Sequence, residues 1–212
     1  MNPYDNLLSQ AGSEPSYVRQ IYDEWASDYD RNLADWGYEA PVVGAAKLRA
    51  MAGDAVGAAA VLDAGCGTGL TGEALRAAGF QTIDGADLSE DSLALAGQRG
   101  IYRNLSAVDF TQLPSPLTAG GYDAVFCVGV MSYLPDTGSM VREFCRLTKP
   151  GGPILLTQRS DIFDDRGDAE TFAKLETEGL LKIVEITGPM PYLPGNPEFV
   201  GVGVRYCSFE RV

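Results

Sequence analysis

The chain has 212 residues, 45% of them hydrophobic and 21% charged, which suits one soluble domain able to bury a sizeable core. Its 29 acidic residues against 16 basic ones leave a formal net charge of -13. A surface of that sign repels phosphate backbones, so nucleic acid is not an expected partner. With no histidine in the chain, Ser-His-Asp and Cys-His catalysis and histidine metal sites are excluded. Any general base must be Asp, Glu, Tyr, Lys, Cys or water.

The opening MNPYDNLLSQ has no basic segment leading into an apolar one, so no signal peptide is expected. No apolar run reaches the roughly 18 residues of a membrane span, and the expected location is the cytoplasm. Residues 1–55 predict a helical cap over a cofactor and acceptor site, and 56–212 the core it covers, the two forming one compact unit. Pro15 suits a first helical turn, and Val18, Ile21, Tyr22, Trp25 and Tyr29 recur at helical spacing. A second helix is expected over 39–51, with Gly53 near its end. The linker 52–57 then leads into a first strand that ends at Asp63.

From there apolar runs alternate with helical patterns. A helix from Leu70 stops at Gly79, and Thr82–Asp87 is the second strand. Ser89 caps a helix that Gly100 ends. The third strand spans 101–108, and 114–121 is a proline-bearing loop. The fourth strand, 123–130, is almost wholly apolar, as a central parallel strand should be. Pro135 and Asp136 open a helix to Leu147, and strand five spans 154–158. An acidic, partly apolar loop is expected over 160–167, a helix over 168–179 and strand six over Leu181–Ile186. With four prolines and two glycines, 188–197 reads as a loop. Val200, Val202, Val204 and Tyr206 then alternate with period two, which predicts an antiparallel strand at or near an edge. The fold expected is α/β: a Rossmann-like, doubly wound, seven-stranded, mostly parallel sheet with an antiparallel last strand. Cys66, Cys127, Cys145 and Cys207 form no CxxC pair, so they read as buried free thiols in a reducing compartment rather than metal ligands. No metal is expected.

The most informative stretch is VLDAGCGTGL, 61–70. A strand ends in Asp63, glycines follow at 65, 67 and 69, and a helix begins. Such a turn lets a ligand approach the main chain at the carboxyl ends of the strands. NAD-binding folds use G-x-G-x-x-G, but here the third position falls on Leu70. The order Asp63-x-Gly65-x-Gly67-x-Gly69 resembles motif I of class I S-adenosylmethionine-dependent methyltransferases. Further blocks resemble that family in its own order across 20–160: Gly85-Ala86-Asp87-Leu88-Ser89, Asp109-Phe110 with Leu113-Pro114, Tyr122 to Val125, Tyr133 to Asp136, and Leu147 to Gly152. The N-terminal pattern Tyr22-Asp23-x-Trp25-Ala26-x-Asp28-Tyr29-Asp30, with Tyr38-x-Ala40-Pro41 and Ile101-Tyr102, is similar to the Williams–Beuren-region methyltransferase-like proteins.

The resemblance implies S-adenosylmethionine as cofactor, S-adenosylhomocysteine as product and a small-molecule methyl acceptor, with the methylated N, O or S unspecified. It implies that Asp87 holds the ribose hydroxyls and that Asp109 reads the adenine amino group, with Leu88 and Phe110 packed on the ring. Carbonyls around Ala64 and Gly65 meet the cofactor's ammonium, and Asp63 holds the turn or assists through water. Gly67, Gly69 and Val128 complete the set. A helical cap implies that Tyr29, and then Tyr22, line the pocket. Tyr29 and Tyr133 are the candidate catalytic residues, Tyr133 either orienting the acceptor or only packing. Asp109 has a plain alternative as a loop-capping aspartate, and Cys66 reads as packing. Arg159 reads as a surface arginine, pairing with an anionic acceptor being the alternative. The acidic loop expected at 160–167 favours a cationic or neutral acceptor. Two other readings stand beside methyl transfer: an NAD-dependent oxidoreductase, and a non-catalytic cofactor-binding partner protein. No sequence feature bears on oligomeric state.

Overall fold

The apolar runs pair side by side into one mixed sheet. The computed structural model describes residues 30–212. After helical residues 30–35 come α1 (Ala40–Ala52), a 3-10 turn (Gly53–Gly57), β1 (Ala60–Ala64), α2 (Leu70–Ala77), β2 (Thr82–Asp87) and α3 (Glu90–Gln98). There follow β3 (Asn104–Ala107), β4 (Ala124–Cys127), a 3-10 turn (Met131–Tyr133), α4 (Thr137–Leu147) and β5 (Pro153–Arg159). The chain continues through α5 (Ser160–Arg166), α6 (Asp168–Thr177), β6 (Leu181–Ile186), β7 (Met190–Pro191) and β8 (Gly203–Arg211). The helix expected to carry Val18, Ile21, Tyr22, Trp25 and Tyr29 lies outside the described residues.

The strand order is β3-β2-β1-β4-β5-β8-β6, with β7 paired to β8. The pairings from β3 through β5 are parallel, and β8 runs antiparallel to β5, β6 and β7. Neighbouring residues of one strand turn to opposite faces, and both faces are apolar. Leu62, Val125, Leu156 and Cys207 join one core, with Phe144 of α4 and Phe172 of α6. Val61, Phe126, Leu155 and Tyr206 join the other, with Leu48 of α1 and Leu75 of α2. Coverage on both sides is the doubly wound, Rossmann-like arrangement.

Local signals place the helix starts. The Ser89 hydroxyl accepts from the Ser92 amide at 3.1 Å, and Asp136 accepts from the Ser139 amide at 3.0 Å, each satisfying a donor that the first helical turn leaves unmade.

The last strand lies next to the sheet edge, as expected, between β5 and the edge strand β6, and its residues Tyr206, Cys207 and Phe209 are buried in the two cores. Three expectations need correction. The valine alternation begins before that strand, and Val200 is 81% exposed. The sheet has eight strands, since Met190–Pro191 of the expected 188–197 loop pairs with β8. Residues 160–166 are helical: Ser160 and Phe163 are buried, and the Phe163 ring packs against Phe172 at 6.0 Å, a tertiary contact that orders a segment too short to show periodicity.

Candidate functional site

The glycine turn leaves the carboxyl end of β1 and closes against the end of β2. The amides of Gly65 and Cys66 both donate to the Ala86 carbonyl, at 2.7 and 3.1 Å. Gly65 has φ +77, and a Cβ there would overlap the Val130 side chain. Only glycine meets both conditions at once. Asp87, the last residue of β2, ties the turn to the start of α3: its carboxylate accepts from the Gly67 amide at 2.8 Å and from the Ser89 amide at 2.9 Å.

A cavity of about 150 Å³ opens over this turn at the carboxyl ends of the strands. Of the residues singled out in the sequence, Gly65, Gly67, Asp87, Leu88, Asp109, Phe110, Val128 and Tyr133 line it. Asp63, Ala64 and Gly69 are not among its lining residues; Asp63 and Ala64 are fully buried behind the turn, and Gly69 caps α2 with φ +98. Tyr22 and Tyr29 lie outside the described residues.

Several other lining residues were not among the candidate site residues: Leu33, Tyr38, Pro41, Thr68, Val130 and Leu134. Tyr38 and Pro41 stand in the N-terminal pattern quoted above, and that was the available signal. The Tyr38 ring meets Tyr192 edge-on, with centroids 5.9 Å apart. Val130 and Leu134 line the cavity because β4 ends at Cys127, earlier than the apolar run suggested, and the chain turns there over the cavity. Thr68 lies in a polar clasp. Its hydroxyl donates to Asp30 at 2.6 Å, its carbonyl accepts from Arg99 at 2.6 Å, and Arg99 pairs with both Asp30 and Glu73.

Tyr133 is held by its backbone as well as its packing. The Arg166 guanidinium donates to the carbonyls of Met131 at 3.1 Å, Leu134 at 2.8 Å and Ser132 at 3.3 Å. Arg159 is not a surface arginine: its side chain is 11% exposed, pairs with Asp161 at 2.6 Å, and lies 5.3 Å from the Phe199 ring centre. Burial removed it from solvent, because the segment after β5 is a packed helix and not a loop.

The carboxylates differ sharply. Asp109 accepts from the Thr111 amide at 2.9 Å, the Thr111 hydroxyl at 2.7 Å and Gln112 at 2.9 Å. Burial raises its pKa, but these donors outweigh burial and hold it below the usual carboxylate range. It therefore caps its own loop at the cavity wall. Asp63 is the opposite case. Burial pushes its carboxyl up to about 7, with the Thr71 and Tyr102 hydroxyls opposing and Asp87 adding to the rise. All four cysteines are free and buried, and burial pushes the Cys66 thiol far up, so it packs and does not act as a nucleophile. Among the described residues there is no cluster of three His, Cys, Asp or Glu that could hold a metal. None of their helices is long and apolar enough to cross a membrane.

Residues 61–152 match the family model described as methyltransferase domain. Methyltransferase-like protein 27 of Homo sapiens is 38% identical over 141 residues, 66% of this chain and 57% of that one. A ubiquinone biosynthesis O-methyltransferase of Aromatoleum aromaticum is 34% identical over 131 residues, 58% of this chain and 52% of that one. The match thus spans little more than half the length of these curated relatives. Among solved structures, an S-adenosylmethionine dependent methyltransferase from Mesorhizobium loti superposes with a TM-score of 0.61 at 20% identity, covering 78% of this chain and 96% of that one.

Proposed function

We propose that the chain is a class I S-adenosylmethionine-dependent methyltransferase and that it transfers a methyl group from S-adenosylmethionine to a small-molecule acceptor. The observation that carries the reading is the joining of Gly65, Gly67 and Asp87 at one rim of the cavity. The turn leaves main chain exposed to a ligand, and beside it stands a carboxylate with about four acceptor directions, suited to a ribose diol. Fit to the cofactor is supported further by a bare carboxylate oxygen behind the turn, Asp63 Oδ1, which has no hydrogen-bond partner. In this reading Asp87 holds the ribose, Leu88 and Phe110 pack on the adenine, and Asp109 reads its amino group from an anchored loop. Gly65 faces the ammonium with Ala64 and Asp63 buried behind it, while Gly67 and Val128 line the cradle and Gly69 caps α2.

The cofactor's sulfonium supplies an already activated methyl group. The chain's own task is then to align the acceptor and exclude water. The wall made by Leu33, Tyr38, Pro41, Val130, Tyr133 and Leu134 is apolar apart from two tyrosine hydroxyls, which suits a small uncharged acceptor. Tyr133, braced by Arg166, orients that acceptor, with Tyr29 as the candidate from the cap. Leu33, Tyr38 and Pro41 support the view that 1–55 closes over the site. The ubiquinone biosynthesis relatives support a small-molecule acceptor. Four buried free thiols are consistent with a reducing compartment such as the cytoplasm.

The test is calorimetric titration of ligand-free protein with S-adenosylhomocysteine, on the wild type and on Asp87→Ala, with NAD as control. Micromolar binding that Asp87→Ala weakens about tenfold or more, roughly 1.4 kcal/mol, supports the reading. A wild type that does not bind S-adenosylhomocysteine overturns it.

A further inference from the structure

Tyr102 reaches Asp63 through a passage that two glycines leave open. Its ring passes between α2 and β2. A Cβ on Gly72 would overlap its hydroxyl, and one on Gly85 would lie 3.0 Å from its ring and 2.9 Å from Cys66 Sγ. The Tyr102 hydroxyl donates to Asp63 Oδ2 at 2.8 Å, and the Thr71 hydroxyl donates to the same oxygen at 2.7 Å. One oxygen of the carboxylate is thereby filled, while the other, Oδ1, is buried and accepts nothing. Asp63 itself is 0% exposed.

A buried carboxylate with one bare oxygen is an unfavourable arrangement unless a partner arrives. The groups acting on it among the described residues are Tyr102 from the loop after α3, Thr71 from α2, Cys66 from the glycine turn, Cys127 from β4 and Asp87 from β2. None carries a positive charge. The missing partner is therefore a cation or a donor, and the residues that separate Asp63 from the cavity, Gly65, Cys66 and Thr71, themselves line it.

We propose that Tyr102 is a positioning residue for the cofactor: with Thr71 it fills Asp63 Oδ2, favours the ionised carboxylate, and leaves Oδ1 as the acceptor for the cofactor's ammonium, directly or through one water. The proposal rests on the methyl-transfer reading above. Donors to a carboxylate favour its charged form, so they act against the burial that holds the Asp63 pKa near 7. An ammonium binds the ionised form. Cofactor affinity therefore falls as pH drops through that value, and removing the Tyr102 hydroxyl moves the fall to higher pH.

The experiment titrates S-adenosylhomocysteine and 5′-methylthioadenosine, which keeps the nucleoside and lacks the amino-acid end, into the wild type, Tyr102→Phe and Thr71→Val. The range is roughly pH 5.5 to 7.5, below the titration of an α-amino group. In the wild type, affinity for S-adenosylhomocysteine falls toward the acid end. In Tyr102→Phe the fall lies about one pH unit higher, so affinity is about fivefold lower near pH 7 and about tenfold lower at the acid end. Thr71→Val moves in the same direction, and 5′-methylthioadenosine binds all three proteins alike. A Tyr102→Phe profile that matches the wild type overturns the proposal and leaves methyl transfer standing. Equal loss of both ligands at every pH shows that Tyr102 only holds the fold, and overturns it too. A wild type that binds neither ligand overturns both readings.

Discussion

Asp63→Asn is expected to make the ligand-free protein more stable at alkaline pH, by an amount the burial of this residue sets. The carboxyl has its pKa raised from 3.8 to about 7 in the fold, first by burial. That gap is about three pH units, at about 1.4 kcal/mol each, or about 4 kcal/mol. The sign follows from proton counting. The folded state keeps its proton to higher pH than the unfolded chain, so the contribution is fully present below about pH 4 and lost as pH rises to about 7. Above pH 7 the folded protein carries the whole cost. Asparagine has no charge to bury, and its carbonyl still accepts from Thr71 and Tyr102. Its amide, however, stands where the bare oxygen was and lacks a partner, at about 1–3 kcal/mol. The net gain near pH 8 is then about 1–3 kcal/mol. Near pH 5 the wild type has lost only about 1.6 kcal/mol to ionisation, and the advantage vanishes or reverses. Urea unfolding of both proteins at pH 5 and pH 8 measures the change in their difference, expected at about 3 kcal/mol. A difference that does not move with pH would refute the argument, because Asp63 would then titrate as it does in the unfolded chain.

Gly65→Ala is expected to destabilise the fold and abolish S-adenosylhomocysteine binding, since the new methyl meets Val130 and the residue holds φ +77; Val130→Ala in the same chain relieves the overlap and restores part of the stability in a thermal melt. Arg166→Met removes one charged donor from three carbonyls and should cost about 1–3 kcal/mol in urea unfolding. In the same variant the amides of Tyr133 and Leu134, which close the 131–134 turn onto Val130 and Met131, exchange with solvent faster than in the wild type; unchanged exchange would mean that the turn holds itself.

What the chain's own pattern determined is local. Thr82–Asp87 and Leu181–Ile186 are strands at the expected bounds, because their apolar character and their flanking turns are complete within a few residues. Ser89 caps α3 as expected, because a cap needs only its own side chain and an amide three residues on. The glycine turn and the acid before it are likewise written in consecutive residues. Tertiary structure alone decided the rest. The place of β8 between β5 and β6 depends on pairing with strands distant in sequence, and a period of two cannot distinguish an interior strand from an edge strand. Residues 160–166 are a helix because Phe163 packs on Phe172, and Arg159 is partly covered beside them. Tyr102 and Asp63, 39 positions apart, meet because Gly72 and Gly85 leave room between α2 and β2. Such a contact has no sequence signature, since it arises only when separate elements bring their missing side chains to the same place.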